Sequence, residues 1–247
     1  MNAVADPARL PACDVLAFGP HPDDVEIACA GTLLRLVRAG RSVALVDLTR
    51  GEAGSRGTVS DRDAEAAAAG KALGAVARCN LGLPDTGVRV DDGATDLVVA
   101  ALRAARPRLV LAPHERDVHP DHTAGAQLVR RATFLAGLAK HRPALGAPHR
   151  PRVVLHYPGN QPVEPTLVVD VSDLLDAKAA VVRCYRSQLD RPDDDPTSRA
   201  HFVQGLDLLG RADVRQRAYG ARIAVVAGEG FWHDGPLPVG ALDWLLG

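Results

Sequence analysis

Two short segments of the chain combine imidazole and carboxylate side chains. The first, residues 21–24, has the sequence His-Pro-Asp-Asp, and the second, residues 119–122, has the sequence His-Pro-Asp-His. Imidazole nitrogens and carboxylate oxygens bind zinc-type divalent ions, and two adjacent carboxylates allow one to bind the metal while the other accepts a proton. The two segments therefore predict a metal-dependent hydrolase.

The first segment supplies two candidate metal ligands and a candidate base. His21 and Asp24 lie on either side of a turn that Pro22 stiffens, so both side chains can reach one ion. His122 from the second segment would be the third protein ligand, leaving one position for a water whose pKa zinc lowers to about 7. Asp23 is adjacent to a ligand but points elsewhere, and we predict that it accepts the proton of that water.

Two further residues of the second segment have predicted roles in the same reaction. His119 would stabilise the oxyanion or protonate the leaving amine. Asp121, two residues later, would orient and charge the His119 imidazole, as carboxylates beside metal sites often do. His114 precedes this segment in the same predicted loop, whereas the other histidines of the chain have no comparable context.

Two other classes of protein stay open as alternatives. Two histidines and one carboxylate are also the ligand set of non-haem iron oxygenases, so ferrous iron is an alternative to zinc. A free aspartate beside the metal favours hydrolysis. The other class is a non-enzymatic nucleotide-binding module, but residues 19–24 carry carboxylates where phosphate would bind and have no G-x-G-x-x-G pattern.

The composition indicates a protein that acts on a small molecule. The 247 residues include 29 basic and 30 acidic side chains, and the net charge of −1 predicts neither nucleic-acid binding nor attraction to an anionic membrane. The four cysteines are scattered without a C-x-x-C pair, which is typical of buried free thiols. Residues 1–12 lack a signal-peptide pattern, and no apolar run is long enough to span a membrane. We expect a cytoplasmic homo-oligomer.

Short β-branched runs alternate with amphipathic segments rich in Ala, Leu and Arg, a pattern typical of parallel strands joined by crossover helices. Strands are predicted at residues 14–18, 42–48, 77–81, 108–112, 152–157 and 166–171. Helices are predicted at residues 27–39, 61–73, 94–105, from 122 to about 140, 174–189 and 198–227. No repeat or low-complexity linker divides the chain, so we predict one α/β domain over residues 1–247, with a mostly parallel sheet and an elaborated C-terminal third.

Both histidine-containing segments begin where a predicted strand ends. Residues 21–24 follow the strand at 14–18, and residues 114–122 follow the strand at 108–112. In an open parallel α/β sheet, the loops that leave the carboxyl ends of the strands gather at one edge, where ligands bind. The topology therefore predicts that the two distant segments form a single site.

The same residues resemble a known family. Residues 17–27, the Gly-Thr pair at 31–32 and the second segment resemble the LmbE/PIG-L zinc-dependent N-deacetylases, which remove acetyl groups from N-acetylglucosamine conjugates. Residues 47–52, 54–58, 80–85 and 185–188 resemble the bacillithiol-biosynthesis branch, whose substrate is N-acetylglucosaminyl malate. The resemblance implies a Rossmann-like fold, zinc bound by His21, Asp24 and His122, and Asp23 as general base. These assignments agree with those from the residues alone.

Two arginines are candidates for substrate binding. By the same resemblance, Arg62 would contact the substrate or the product. A malate conjugate needs cationic groups for its two carboxylates, and Arg56 and Arg62 near the active edge could bind them through bidentate hydrogen bonds. Residues after 189 match no motif of the family, so a conjugate with inositol, a chito-oligosaccharide or an antibiotic precursor is an alternative substrate.

Overall fold

A computed structural model of the chain describes residues 2–189 and 208–237. Within them, six parallel strands form the central sheet in the order β1-β4-β3-β2-β5-β6. These strands are β1 (Asn2–Val4), β2 (Val15–Gly19), β3 (Val43–Thr49), β4 (Ala77–Leu83), β5 (Leu109–Pro113) and β6 (Val153–Tyr157). A smaller antiparallel pair is formed by β7 (Leu167–Asp170) and β8 (Gly228–Phe231).

Helices cover both faces of the sheet. They are α1 (Asp24–Arg38), α2 (Val59–Leu73), α3 (Asp92–Ala105), α4 (Pro120–Ala136), α5 (Leu175–Val182) and α6 (Leu208–Ala221). Side chains of a strand alternate between the faces, so Leu16 and Phe18 pack with α3 and α4, while Val15 and Ala17 pack with α1, α2 and α5. Burial on both faces explains the nearly continuous apolar strands, and the predicted α/β class with a mostly parallel sheet is confirmed.

The order of the strands creates a crevice beside β2. From β2 the chain moves outward to β3 and β4, and it then returns to the other side of β2 to form β5. Ligands of open α/β sheets bind where the strand order reverses, outside the carboxyl ends of the two strands involved. The loops after β2 and β5 carry the two histidine-containing segments, so they meet at this position.

The C-terminal third departs from the predicted elements. The helix predicted at 174–189 ends at Val182, and the following turn is held by Ser187, whose backbone N–H and hydroxyl both donate to the Glu65 carboxylate of α2. Of the helix predicted at 198–227, residues 198–207 lie outside the described residues, and α6 ends at Ala221. The chain then forms β8, which the sequence pattern did not predict.

None of the helices in the described part of the chain is long and apolar enough to cross a membrane.

Candidate metal and catalytic site

Three side chains from the two histidine-containing segments converge on one point. His21 lies in the loop after β2, Asp24 is the first residue of α1, and His122 lies in the first turn of α4. Asp24 Oδ2 is 3.2 Å from His21 Nδ1 and 3.3 Å from His122 Nε2. Tetrahedral zinc with bonds of about 2.0–2.1 Å separates its ligand atoms by about 3.3 Å. The spacing of these donors therefore fits a divalent metal ion.

Each of the two imidazoles has a carboxylate at the nitrogen that faces away from this point. His21 Nε2 lies 3.0 Å from Asp85 Oδ1 and 3.3 Å from Asp121 Oδ2, and His122 Nδ1 lies 3.1 Å from Asp117 Oδ2. A carboxylate that accepts a hydrogen bond from one ring nitrogen fixes the tautomer and leaves the other nitrogen free to bind metal. The arrangement therefore leaves Nδ1 of His21 and Nε2 of His122 for the ion.

The position of Asp121 differs from the sequence prediction. Its carboxylate accepts from the backbone N–H groups of Thr86 and Val88 at 2.7 and 3.1 Å and lies beside His21. Between Asp121 and His119 the hydrogen bond runs from the Asp121 backbone N–H to His119 Nδ1, at 3.2 Å. The expected orientation of His119 by the Asp121 carboxylate is wrong for this geometry, because the loop after β4 holds that carboxylate toward His21.

His119 lies beside the predicted ligands as a neutral imidazole. Its ring centroid is 4.7 Å from that of His21 and 5.1 Å from that of His122. Burial, with the neighbouring imidazolium charges of His21 and His122, lowers the pKa of His119. Because Nδ1 accepts from the backbone, the proton of the neutral ring is on Nε2. His119 can therefore donate a hydrogen bond to an oxygen that gains negative charge.

Asp23 has the environment of a general base. It precedes α1 with a φ of 119°, a conformation that non-glycine residues rarely adopt, and only 9% of its surface is exposed. Burial raises the pKa of Asp23 to about 6, although the nearby positive charge of Arg62 opposes this shift. A carboxylate with this pKa is poised to accept a proton near neutral pH.

Arg62 forms an ion pair with Asp23. Its side chain reaches from α2 and is buried, with Nη1 3.2 Å from Asp23 Oδ2 and Nη2 donating to the backbone carbonyl of Pro22. The guanidinium also lies 5.9 Å from the ring centroid of Tyr185. This position differs from the expected clamp on substrate carboxylates, because the charge of Arg62 is already engaged by the Asp23 carboxylate.

Arg56 lies further from the metal-binding group, in the loop between β3 and α2. Its Nη1 lies 3.4 Å from the backbone carbonyl of Leu189, and its own carbonyl accepts from Gln188 Nε2 at 2.9 Å. These contacts attach the loop to the segment after α5. Neither of these hydrogen bonds involves His21, Asp24 or His122, so the role of Arg56 at the substrate stays a prediction.

Charges at the predicted ligands favour one another. Burial raises the pKa of Asp24, but His122 and His21 outweigh burial and hold the pKa well below its usual value. Burial lowers the pKa of His122, yet Asp24 and Asp117 raise it to about 9. Both imidazoles would have to lose a proton before they bind a cation, so metal binding would release protons.

Asp117 and Asp85 are the site residues that sequence reasoning missed. Asp117 lies in the loop that leads into α4 and His122, and its side chain also accepts from the backbone N–H groups of His119 and Asn160 at 2.8 and 2.6 Å. Asp85 lies in the stretch at 80–85 that contributed to the family resemblance, but no role was assigned to it. For Asp117, the only available signal was its position close in sequence to the candidate ligands at 119–122.

Gly159 lies so close to Asp117 and His122 that no side chain fits at this position. A Cβ atom added at Gly159 would lie 2.1 Å from Asp117 Oδ2 and 2.5 Å from His122 Nδ1. Real Cβ atoms do not approach other atoms so closely, and both of these atoms are packed inside the site. The absence of a side chain at residue 159 therefore allows the contact between Asp117 and His122.

Comparison with known proteins identifies the family. Residues 16–133 match the PIG-L family, described as GlcNAc-PI de-N-acetylase. Diacetylchitobiose deacetylase of Thermococcus kodakarensis is 31% identical over 194 residues, which are 73% of this chain and 71% of the relative. A probable N-acetyl-α-D-glucosaminyl L-malate deacetylase 2 of Bacillus cereus is 29% identical over 189 residues, which are 70% of this chain and 83% of the relative.

One solved structure is similar to the chain over nearly its whole length. The conserved protein TT1542 of Thermus thermophilus superposes with a TM-score of 0.80 at 39% identity and covers 94% of this chain and 98% of its own. The similarity therefore extends over nearly the whole of both chains. The predicted family and enzyme class are confirmed: the chain belongs to the PIG-L family of N-deacetylases.

Proposed function

We propose that the protein hydrolyses the N-acetyl group of an N-acetylglucosamine conjugate with a zinc ion bound by His21, Asp24 and His122. One observation carries this proposal: Asp24 Oδ2 lies 3.2 Å from His21 Nδ1 and 3.3 Å from His122 Nε2, and the other nitrogen of each imidazole contacts a carboxylate. Zinc and ferrous iron share such ligands, and a free carboxylate at Asp23 favours zinc hydrolysis over oxygenase chemistry. When bound, the ion would polarise the acetyl carbonyl and activate a water molecule.

The chain's own residues supply the proton transfers and the charge stabilisation. Asp23 accepts a proton from the water that attacks the acetyl carbon, and Arg62 holds this carboxylate in place. His119 donates from Nε2 to the carbonyl oxygen as that oxygen gains negative charge. The proton on Asp23 then passes to the amide nitrogen as the carbon–nitrogen bond breaks. The products are acetate and the free amine of the glucosamine conjugate.

We further propose N-acetylglucosaminyl malate as the substrate. The proposal is supported by the name of the Bacillus cereus relative and by the resemblance of residues 80–85 and 185–188 to the bacillithiol branch. The Thermococcus kodakarensis relative is named for diacetylchitobiose, which makes that disaccharide the substrate to compare.

The test offers the purified protein four substrates and measures released acetate. These are N-acetylglucosaminyl malate, diacetylchitobiose, free N-acetylglucosamine and an inositol conjugate. We expect the highest kcat/KM for the malate conjugate, loss of activity after chelation, and recovery with zinc in the absence of oxygen. Metal-loaded protein that releases no acetate from any of the four would contradict the deacetylase proposal, and a requirement for oxygen would favour the oxygenase alternative.

A further inference from the structure

A large cavity lies beside the candidate site. It has a volume of about 670 Å³ and is formed by α6, the segment after β6 and the loop after β5. Four arginines line it, together with one carboxylate. The arginines are Arg116, Arg211, Arg215 and Arg222, and the carboxylate is Glu164. None of these residues was assigned a role from the sequence.

A chain of hydrogen bonds links the cavity wall to a predicted metal ligand. Arg211 Nη2 donates to Asn160 Oδ1 at 2.9 Å, and Asn160 Nδ2 donates to Asp117 Oδ1 at 3.1 Å. Asp117 in turn contacts His122. Arg116 directly precedes Asp117 in the loop after β5. The cavity therefore adjoins the residues that orient His122.

Three of the four arginines have no carboxylate partner among the described residues. Glu164 pairs with Arg222, so the one carboxylate of the cavity lining forms no ion pair with Arg116, Arg211 or Arg215. Arg215 donates to the backbone carbonyl of Pro158 at 2.7 Å. Burial, together with the positive charge of Arg211, lowers the pKa of Arg215. Arg211 and Arg215 are half-buried, whereas Arg116 is exposed. A half-buried guanidinium group without an adjacent carboxylate is costly, and a bound anion would offset that cost.

We propose that this cavity binds an anionic substituent on the aglycone of the substrate, through Arg116, Arg211 and Arg215. The proposal rests on the deacetylase function only for the position of the sugar. Guanidinium groups bind carboxylates and phosphates with paired hydrogen bonds, and both anions suit three arginines at one cavity. Apolar wall residues Val163 and Val214 would pack against the carbon skeleton that carries the anion. This assignment moves recognition of an acidic aglycone from Arg56 and Arg62 to α6 and the loop after β5.

The first test compares acidic and neutral conjugates of the same sugar. The substrates are N-acetylglucosaminyl malate, N-acetylglucosamine 1-phosphate and methyl N-acetylglucosaminide. The variants are Arg116→Gln and Arg215→Gln, and because Arg116 is exposed its replacement should leave the fold intact. We expect the ratio of kcat/KM for the preferred acidic conjugate to that for the methyl glycoside to fall about tenfold. The acidic conjugate that loses more identifies carboxylate or phosphate as the anion.

Arg217→Gln is the matched control. Arg217 lies on α6 with Arg211 and Arg215, pairs with Asp213 at 2.8 Å and does not line this cavity. Its replacement should leave the ratio unchanged. An equal fall of the ratio in Arg217→Gln, or no change in Arg116→Gln and Arg215→Gln, would overturn the proposal.

The second test measures binding without turnover. Malate and inorganic phosphate are titrated into the purified protein by calorimetry, and we expect Arg116→Gln and Arg215→Gln to weaken binding of the tighter anion about tenfold. Glu164→Gln should strengthen it about twofold, because it removes a negative charge and releases Arg222. If no conjugate releases acetate but these binding changes occur, the deacetylase function fails and the anion site stands. Wild-type protein that binds neither anion, with no kinetic preference for acidic conjugates, would overturn the site.

Discussion

Asp117 Oδ2 lies 3.1 Å from His122 Nδ1, while the opposite nitrogen of the same ring, Nε2, lies 3.3 Å from Asp24 Oδ2. The imidazole is therefore held between a carboxylate that orients it and the predicted coordination sphere. Asp117 is itself fixed by the backbone N–H groups of His119 and Asn160. The loop after β5, which carries Asp117, therefore sets the orientation of the His122 ring.

Asp117→Ala should weaken metal binding by roughly 10–100-fold, because His122 loses the partner that fixes its tautomer and orientation. Competition with a chelator of known affinity measures the change. Asp213→Ala is the control, since this carboxylate is close to the surface and contacts Gln216 and Arg217 instead of the site. Unchanged metal affinity in Asp117→Ala would show that the loop alone orients His122.

The two adjacent aspartates should separate metal binding from proton transfer. Asp24→Ala should lose the metal and the activity together, since three protein ligands are the minimum for a site with an open position. Asp23→Asn should retain stoichiometric metal while kcat falls by roughly 10²–10⁴-fold, because the amide cannot accept the proton. Metal analysis and acetate release on the same preparations distinguish these outcomes. A metal-free Asp23→Asn with metal-bound Asp24→Asn would reverse the two roles.

Arg62→Gln should change the pH dependence of the reaction. Asp23 acts as a base only when deprotonated, and burial raises its pKa to about 6 while the charge of Arg62 opposes that rise. Without this charge the pKa of Asp23 rises further, so the acidic limb of the kcat/KM profile should move to higher pH. Arg62→Lys, which keeps the charge, should move it less. If the acidic limb is unchanged and only the KM for the malate conjugate rises, Arg62 would instead bind the carboxylates of the substrate.

Gly159→Ala should remove metal binding without unfolding the protein. The added methyl group would lie 2.1 Å from Asp117 Oδ2, so either this carboxylate or the backbone must move. Gly93→Ala in the first turn of α3 is the matched control, because its Cβ would meet Asp91 Oδ1 at an ordinary 3.5 Å. Circular dichroism reports the fold and metal analysis reports the site. Full metal content in Gly159→Ala would show that the loop adapts easily.

Sequence reasoning located the parts of the site that topology determines. Alternating strands and helices indicate a parallel sheet, and parallel strands bring the loops after β2 and β5 together, so His21 and His122 could be paired across the chain. The carboxylate partners were harder to predict. The side chain of Asp121 turns toward His21 because backbone N–H groups of Thr86 and Val88 hold it there, and that loop is distant in sequence.

Burial accounts for a second group of differences. Arg62 was a candidate for substrate binding by resemblance, but its position on α2 directs it under Asp23, where it is 5% exposed. Arg211 of α6 belongs to no motif, and only the fold places it beside Asn160. A single domain, a homo-oligomeric state and a cytoplasmic location stay predictions.

The metal-binding group is divided between two distant segments of the chain. The order of synthesis therefore decides when the site can form. His21 and Asp24 leave the ribosome early, but His122 follows only after β3, β4 and β5, and β5 must dock against β2 before the three donors meet. Metal uptake therefore reports that both halves of the sheet have assembled. Because an ion that binds only the native state stabilises it, the metal would also resist opening between β2 and β5. Chelation should then make the loops at residues 20–24 and 114–119 the first sites of proteolytic cleavage.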